Sequence, residues 1–113
     1  MTYKDFPSWK KALDLTKRVY EISSYWPDHE KFGLVNQIRR AALSICSNIA
    51  EGYGRYDDGD KKHFLSIARG SAYEVEAQLL VAKELGYITD VDEVALLVQE
   101  VCALLNAARR CLQ

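Results

Sequence analysis

Val94, Val98, Val101, Leu105, Ala108 and Leu112 recur at alternating steps of four and three. That spacing keeps an apolar seam along one side of an α-helix, and such a seam is stable only against other helices. A strand, with its period of two, would scatter the same residues over both faces. The rest of the chain must therefore supply helical partners for this segment.

Three earlier segments have the right pattern. Trp9, Ala12, Leu13, Thr16, Val19, Tyr20 and Ser23 form a stripe on a helix predicted from Ser8 to Ser24, with Pro7 or Ser8 at its start. Tyr25-Trp26-Pro27-Asp28 stops it, and Asp28 is positioned to cap the next helix. Leu34, Ile38, Ala41, Ala42, Ile45 and Ile49 share a face of that second helix, which ends near Tyr53 at Gly52 and Gly54. Asn36, Arg40, Ser44, Ser47 and Glu51 lie on its other side. A polar turn, Tyr56-Asp57-Asp58-Gly59-Asp60, leads to a third helix capped by Asp58 or Asp60, with Phe64, Ala68, Ser71, Ala72, Val75, Leu79 and Ala82 inward. Gly70 offers a place for close backbone approach, Gly86 closes the helix, and Thr89-Asp90 opens the fourth. Short connections favour antiparallel neighbours, so the expected fold is all-α: one up-down-up-down antiparallel four-helix bundle over residues 1–113, with left-handed crossings of about 20°.

Met1-Thr2-Tyr3-Lys4-Asp5 is charged where a secretory signal is apolar, and no apolar run approaches the roughly 18 residues of a membrane span. The expected location is the cytoplasm, without membrane contact. There, Cys46, Cys102 and Cys111, odd in number and without C-x-x-C spacing, read as free thiols in apolar surroundings.

No constellation of catalytic groups emerges. The Glu-x-x-His pairs of a di-iron bundle are missing, and His29 and His63 stand alone without spaced ligands. Gly52-Tyr53-Gly54 follows a helix rather than a strand and lacks the Lys-Ser/Thr ending of a phosphate loop. Ser8-Trp9-Lys10-Lys11 fits Ser-x-x-Lys without its companion motifs, and Asp57, Asp58 and Asp60 miss the spacing of a calcium loop. The expectation is a non-enzymatic chain with no cofactor or metal.

Two surface features point to binding instead. Helix four has a second apolar row, Leu97, Leu104 and Cys111, and helix two has Leu43, Cys46 and Ala50 off its main stripe. Leu80 and Val81 lie outside the stripe of helix three. This surplus suggests self-association through Leu43, Ala50, Leu97 and Leu104. Charge is also uneven. Residues 31–69 hold seven basic residues, Lys31, Arg39, Arg40, Arg55, Lys61, Lys62 and Arg69, against four acidic ones, a net of +3 in a chain whose total is -1. Repeated around an oligomer, a patch of Arg39, Arg40, Arg55, Lys61, Lys62 and Arg69 would bind RNA or DNA phosphates in a salt-dependent way. The alternative is a scaffold for a protein partner. Gln37, Asn48, Glu51, Ser71, Glu74 and Gln78, with Arg40 or Arg69 as partners, are expected to form a structural polar network that fixes helix register.

The run from Phe32 to Arg55, FGLVNQIRRAALSICSNIAEGYGR, closely resembles the signature of the 23S rRNA intervening-sequence protein family. The likeness continues through Phe64-Leu65-Ser66-Ile67-Ala68-Arg69-Gly70-Ser71, Glu74 and Leu85-Gly86-Tyr87. Cys46 stands where the family commonly has proline between Ile45 and Ser47. The resemblance implies a bacterial four-helix bundle assembled as a ring-shaped homopentamer. Through a more distant family that supplies the accessory subunit of diversity-generating retroelements, it also implies contact with RNA or DNA.

Overall fold

The computed structural model describes residues 1–113 and contains no strand. Its helices are α1 (Pro7–Ser23), α2 (Leu34–Tyr53), α3 (Asp58–Glu84) and α4 (Asp92–Arg110). Short 3-10 turns at Tyr3–Asp5 and Asp28–Glu30 precede α1 and α2. No helix is long and apolar enough to cross a membrane.

The helix ends show where local chemistry departs from the sequence expectation. Pro7 occupies the first position of α1, where its missing N–H costs nothing. α2 does not start after Asp28: a 3-10 turn at Asp28–Glu30 intervenes, the helix begins at Leu34, and Glu30 Oε1 accepts the Leu34 N–H at 3.1 Å. Asp57, one residue before Asp58 and three before Asp60, the two expected caps, starts α3 by accepting the Asp60 N–H at 2.8 Å. Asp58 Oδ2 instead accepts the N–H of Gln113. Asp90 accepts the Asp92 N–H at the start of α4. Gly86, at φ +82°, lets the Tyr87 N–H return to the Ala82 carbonyl and close α3.

One cluster of buried side chains draws on all four helices. It includes Leu15 and Val19 of α1, Ile38, Ile45 and Ile49 of α2, Val75 and Leu79 of α3, and Val98, Val101 and Leu105 of α4. α1 packs on α2 and α4, and α3 packs on the same two helices. The pairs that meet fix the direction of approach. Lys11 bridges Glu100 and Arg18 bridges Glu93 between α1 and α4. Thr16 reaches the Ala42 carbonyl, and Arg39 reaches Ser23, between α1 and α2. Residue numbers thus rise along α1 as they fall along both neighbours. The α2–α3 seam runs the same way, with Ser44 against Ser71 and Gly52 against Phe64. It is close because its residues are small: Ala41, Ala42, Ala68 and Ala72 are buried, and a Cβ on Gly52 would lie 3.1 Å from the Phe64 Cβ.

Several expected faces shift. On α1, Leu15 is fully buried, whereas Tyr20 is exposed beneath the Arg39 guanidinium. Gly70 has nothing within 4 Å of where a Cβ would sit, so it marks no close approach. Leu97, expected on a free face, packs partly buried against the core. It shares a flank of α4 with Glu93 and Glu100, which pair with α1, so the second apolar row is the side that α1 covers. The exposed leucine of α4 is Leu96, at 55% exposure. Of the cysteines, Cys102 is buried and Cys46 partly so, and desolvation pushes both thiols upward in pKa. Cys111, contrary to expectation, is exposed because α4 ends one residue before it.

The loop end of α3 is clasped to the α1–α2 connection. Trp26, which stops α1, is itself core and lies 6.2 Å from the Tyr87 ring. The Tyr87 hydroxyl donates to Glu30 Oε2 at 2.7 Å. Glu30 therefore both caps α2 and holds Tyr87. Its carboxyl is lowered from 4.5, first by the Tyr87 hydrogen bond and then by the Leu34 N–H, while the phenol is raised from 10.0 by the same contact.

Two outcomes follow from these contacts. The clasp adds stability that is fully present above about pH 4.5 and is lost as the pH falls through the lowered Glu30 value. At the alkaline end it is present below pH 10.0 and lost as the pH rises through the raised Tyr87 value. Thermal melts of the protein and of Tyr87→Phe should therefore differ most near neutrality and converge at both extremes. Gln78 Oε1 is buried without a donor, which costs about 1–3 kcal/mol. Gln78→Met, similar in shape without the amide, should raise the urea midpoint; an unchanged or lower midpoint would show that the oxygen is satisfied.

Candidate functional site

The residues expected to form a polar network occupy the outer edge of the α2–α3 seam. Gln37, Ser44, Asn48 and Glu51 follow helical spacing down one flank of α2, and Ser71, Glu74 and Gln78 do so on α3. Only part of the set joins across the seam. The Ser44 and Ser71 hydroxyls are 2.8 Å apart, and Asn48 Nδ2 donates to the Ser44 carbonyl and hydroxyl at 2.8 and 3.0 Å. Ser44 is the centre of this group and was missed as a member, although its spacing from Asn48 and Gln37 was visible. Glu51 pairs with Arg55 on its own helix at 2.9 Å. Gln37 and Glu74 are exposed and make no side-chain hydrogen bond, while Arg40 and Arg69 make none to any of these residues. Gln37, Glu51 and Glu74 extend outward into solvent, whereas Gln78 keeps its Oε1 buried.

The basic residues of α2 and α3 divide by their neighbours. Arg39 is tied down: its Nε donates to Ser23 Oγ at 2.9 Å, its Nη2 to the Tyr20 carbonyl, and its guanidinium lies 4.5 Å from the Tyr20 ring centre. It is thus a clamp between α1 and α2. Arg55 is occupied by Glu51 and stacks 4.7 Å from the Phe64 ring. Arg40, one residue after Arg39, points about 100° away and is exposed without an ion-pair partner. Lys61 and Lys62 are partly buried in the first turns of α3. The six residues accordingly do not form one patch.

Arg69 has a companion that sequence reading missed. A cleft of about 450 Å³ between α3 and α4 is lined by Ser66, Arg69, Tyr73, Asn106 and Arg109, with Leu65 and Leu105 at its base. Along the sequence Arg109 is indistinct from Arg110, both being basic residues in the last turn of a helix. The available signal was its spacing from Cys102 and Leu105, both buried, which turns position 109 toward α3. Arg69 lies 5.4 Å from the Tyr73 ring centre, and neither Arg69 nor Arg109 is in a salt bridge. The cleft thus gathers two guanidinium groups without ion-pair partners, an exposed tyrosine, a hydroxyl and an amide side chain.

The expected self-association residues also separate. Leu43 is 46% exposed, Ala50 is partly buried, and Leu97 lies at the core margin. Leu104 lines a second, apolar cleft at the end of the bundle where α1 begins and α4 finishes. The large exposed apolar residues of α3 are Ile67, Tyr73, Leu80 and Val81, with Leu85 just after it. No group of three or more His, Cys, Asp or Glu residues is placed to hold a metal ion.

Comparison with curated proteins finds no match. Among solved structures, a protein described as of unknown function from the S23 ribosomal protein family of Bacteroides thetaiotaomicron superposes with a TM-score of 0.82. It is 26% identical, over 90% of this chain and 97% of that one. The profile described as 23S rRNA-intervening sequence protein matches residues 4–107, which takes in all four helices except the last turn of α4. The chain thus belongs to the 23S rRNA-intervening sequence protein family.

Proposed function

We propose that this chain is a non-enzymatic, ring-forming protein of the bacterial cytoplasm that binds RNA or DNA through the α3–α4 cleft. In this reading the helices run up-down-up-down with left-handed crossings, in keeping with the opposed residue numbering at each helix contact. The observation that carries the proposal is the pairing of Arg69 and Arg109 beside Tyr73, with no carboxylate bound to either guanidinium. Guanidinium groups hold phosphate oxygens in a forked geometry, and a tyrosine ring next to them stacks bases without requiring a sequence. Arg40 and Lys62 add charge on α2 and α3, while Arg39 and Arg55 contribute less because their cations already have partners.

Assembly multiplies a site that is weak alone. Leu80, Val81 and Leu85 on the α3 side, Leu43 on α2 and Leu96 on α4 are exposed on three different helices or just beside them. A ring needs this arrangement, since each subunit must offer two unlike surfaces to its neighbours. The homopentamer is the closed form implied by the family resemblance. The same apolar residues favour a second reading, an oligomeric scaffold for a protein partner that binds no nucleic acid.

Titration of a structured RNA against salt separates the two. The first reading expects affinity to fall steeply between low and physiological salt. Arg69→Ala with Arg109→Ala should weaken binding to all sequences and reduce the slope of log K against log salt by about two. Retained affinity and slope in that double variant would remove the cleft from the reading, and no binding at low salt would favour the scaffold. Light scattering tests assembly independently. The unmodified protein should have the mass of a closed oligomer, and Leu80→Glu with Leu85→Glu should reduce it to one subunit without loss of helix content. A single-subunit mass for the unmodified protein would end the ring proposal.

A further inference from the structure

Gly70 stands near the middle of α3, where glycine is the least favourable residue apart from proline. Nothing in the fold calls for it. Its backbone is ordinary helix, Gly86 being the glycine at positive φ. It is exposed, and open space lies where its Cβ would sit, so no neighbour within the chain needs the bare backbone. Gly70 does line the cleft between α3 and α4, one position after Arg69.

Ser66, Arg69, Gly70 and Tyr73 follow helical spacing on one face of α3, and Leu105, Asn106 and Arg109 line the same cleft from α4. The two arginines therefore come to it from different helices. Neither is in an ion pair, and a guanidinium is the side chain best shaped to hold a phosphate. Next to Arg69 the wall is bare: Gly70 has no side chain, and the Tyr73 ring, 48% exposed, follows one turn on. The hydroxyl of Ser66 and the amide of Asn106 can pair with a sugar or with the edge of a base. At about 450 Å³ the cleft falls within the roughly 300–1,000 Å³ of sites for small ligands. In a duplex each base face is covered by its neighbours, so a tyrosine beside bare helix would find none to meet. An unpaired nucleotide can present its face to a tyrosine and its phosphate to arginines.

We propose that the α3–α4 cleft takes one unpaired nucleotide of a single strand, its phosphate between Arg69 and Arg109 and its base flat against Gly70 and the Tyr73 ring. This rests on the nucleic-acid reading above and narrows it from nucleic acid in general to unpaired segments. The glycine is there to keep that surface bare.

The test measures, by fluorescence anisotropy at low salt, binding of the full chain to three probes: an oligouridylate of roughly twelve nucleotides, a ribose-phosphate strand of that length without bases, and a blunt RNA duplex of that length. The oligouridylate should bind about tenfold tighter than the baseless strand. It should also bind tighter than the duplex, although the duplex carries twice the phosphates. Tyr73→Leu should cut the preference for bases about fivefold or more. Gly70→Leu should cut it similarly while raising the melting temperature, because leucine favours a helix and meets nothing in the fold. A residue needed only for folding would move the two readouts together. The inference is overturned if the strands with and without bases bind alike, or if the duplex binds more tightly. If Arg69→Ala with Arg109→Ala then weakens all three probes, the nucleic-acid reading still stands without it. No binding of any probe at low salt removes both. A Gly70→Leu variant that keeps its preference but loses mass in light scattering also overturns the inference, since the bare backbone would then serve contact between copies.

Discussion

The close approach of α2 and α3 is the constraint on which the rest of the molecule depends. Ala41, Ala42, Ala68 and Ala72 present only short side chains between the two helices, and a Cβ on Gly52 would lie 3.1 Å from the Phe64 Cβ, a tight contact. Small side chains gain little from burial individually, but they let two backbones share many contacts at short range. Once this pair is set, α1 and α4 have only its two open sides to occupy, and their valines and leucines complete the core. Long polar residues of α2 and α3 are forced to the rim of the seam, which explains why the Ser44, Asn48 and Ser71 group is so limited.

The same packing sorts the cations. A guanidinium beside an aromatic ring and a carbonyl, like that of Arg39, is part of the scaffold, and its removal would open the α1–α2 contact. Arg69 and Arg109 instead lie along a groove where the helices diverge enough to leave a cleft of about 450 Å³. Net charge cannot distinguish these roles, because a cation neutralised by a local partner counts the same as a free one. The α3–α4 cleft lies beside the middle of α3 and the last turns of α4, whereas the apolar cleft lies where helix ends converge.

The sequence reading reached the helices readily because each has a strong apolar period and a clear stop. It missed the caps of α2 and α3, since several acidic residues compete for each start and only the chain path decides which one reaches a free N–H. It took the Leu97 row of α4 for a free face because a helix touching two neighbours at once needs a stripe wider than a single seam. It saw Gln78 as part of a network, whereas the buried oxygen has no donor. Arg109 went unnoticed because its importance depends on Arg69, forty residues earlier in the chain.

By itself, the sequence determined that the chain is all helix, where the helices lie to within a turn except at the start of α2, and which family it resembles. These are properties of local periodicity, capping chemistry and matching residues, and each is read within a short window. Tertiary structure alone decided which apolar row is covered, which arginines are spent on packing, and that Arg69, Gly70 and Arg109 line one cleft. Those facts depend on distances between residues far apart in the chain, and such distances exist only after the helices have packed.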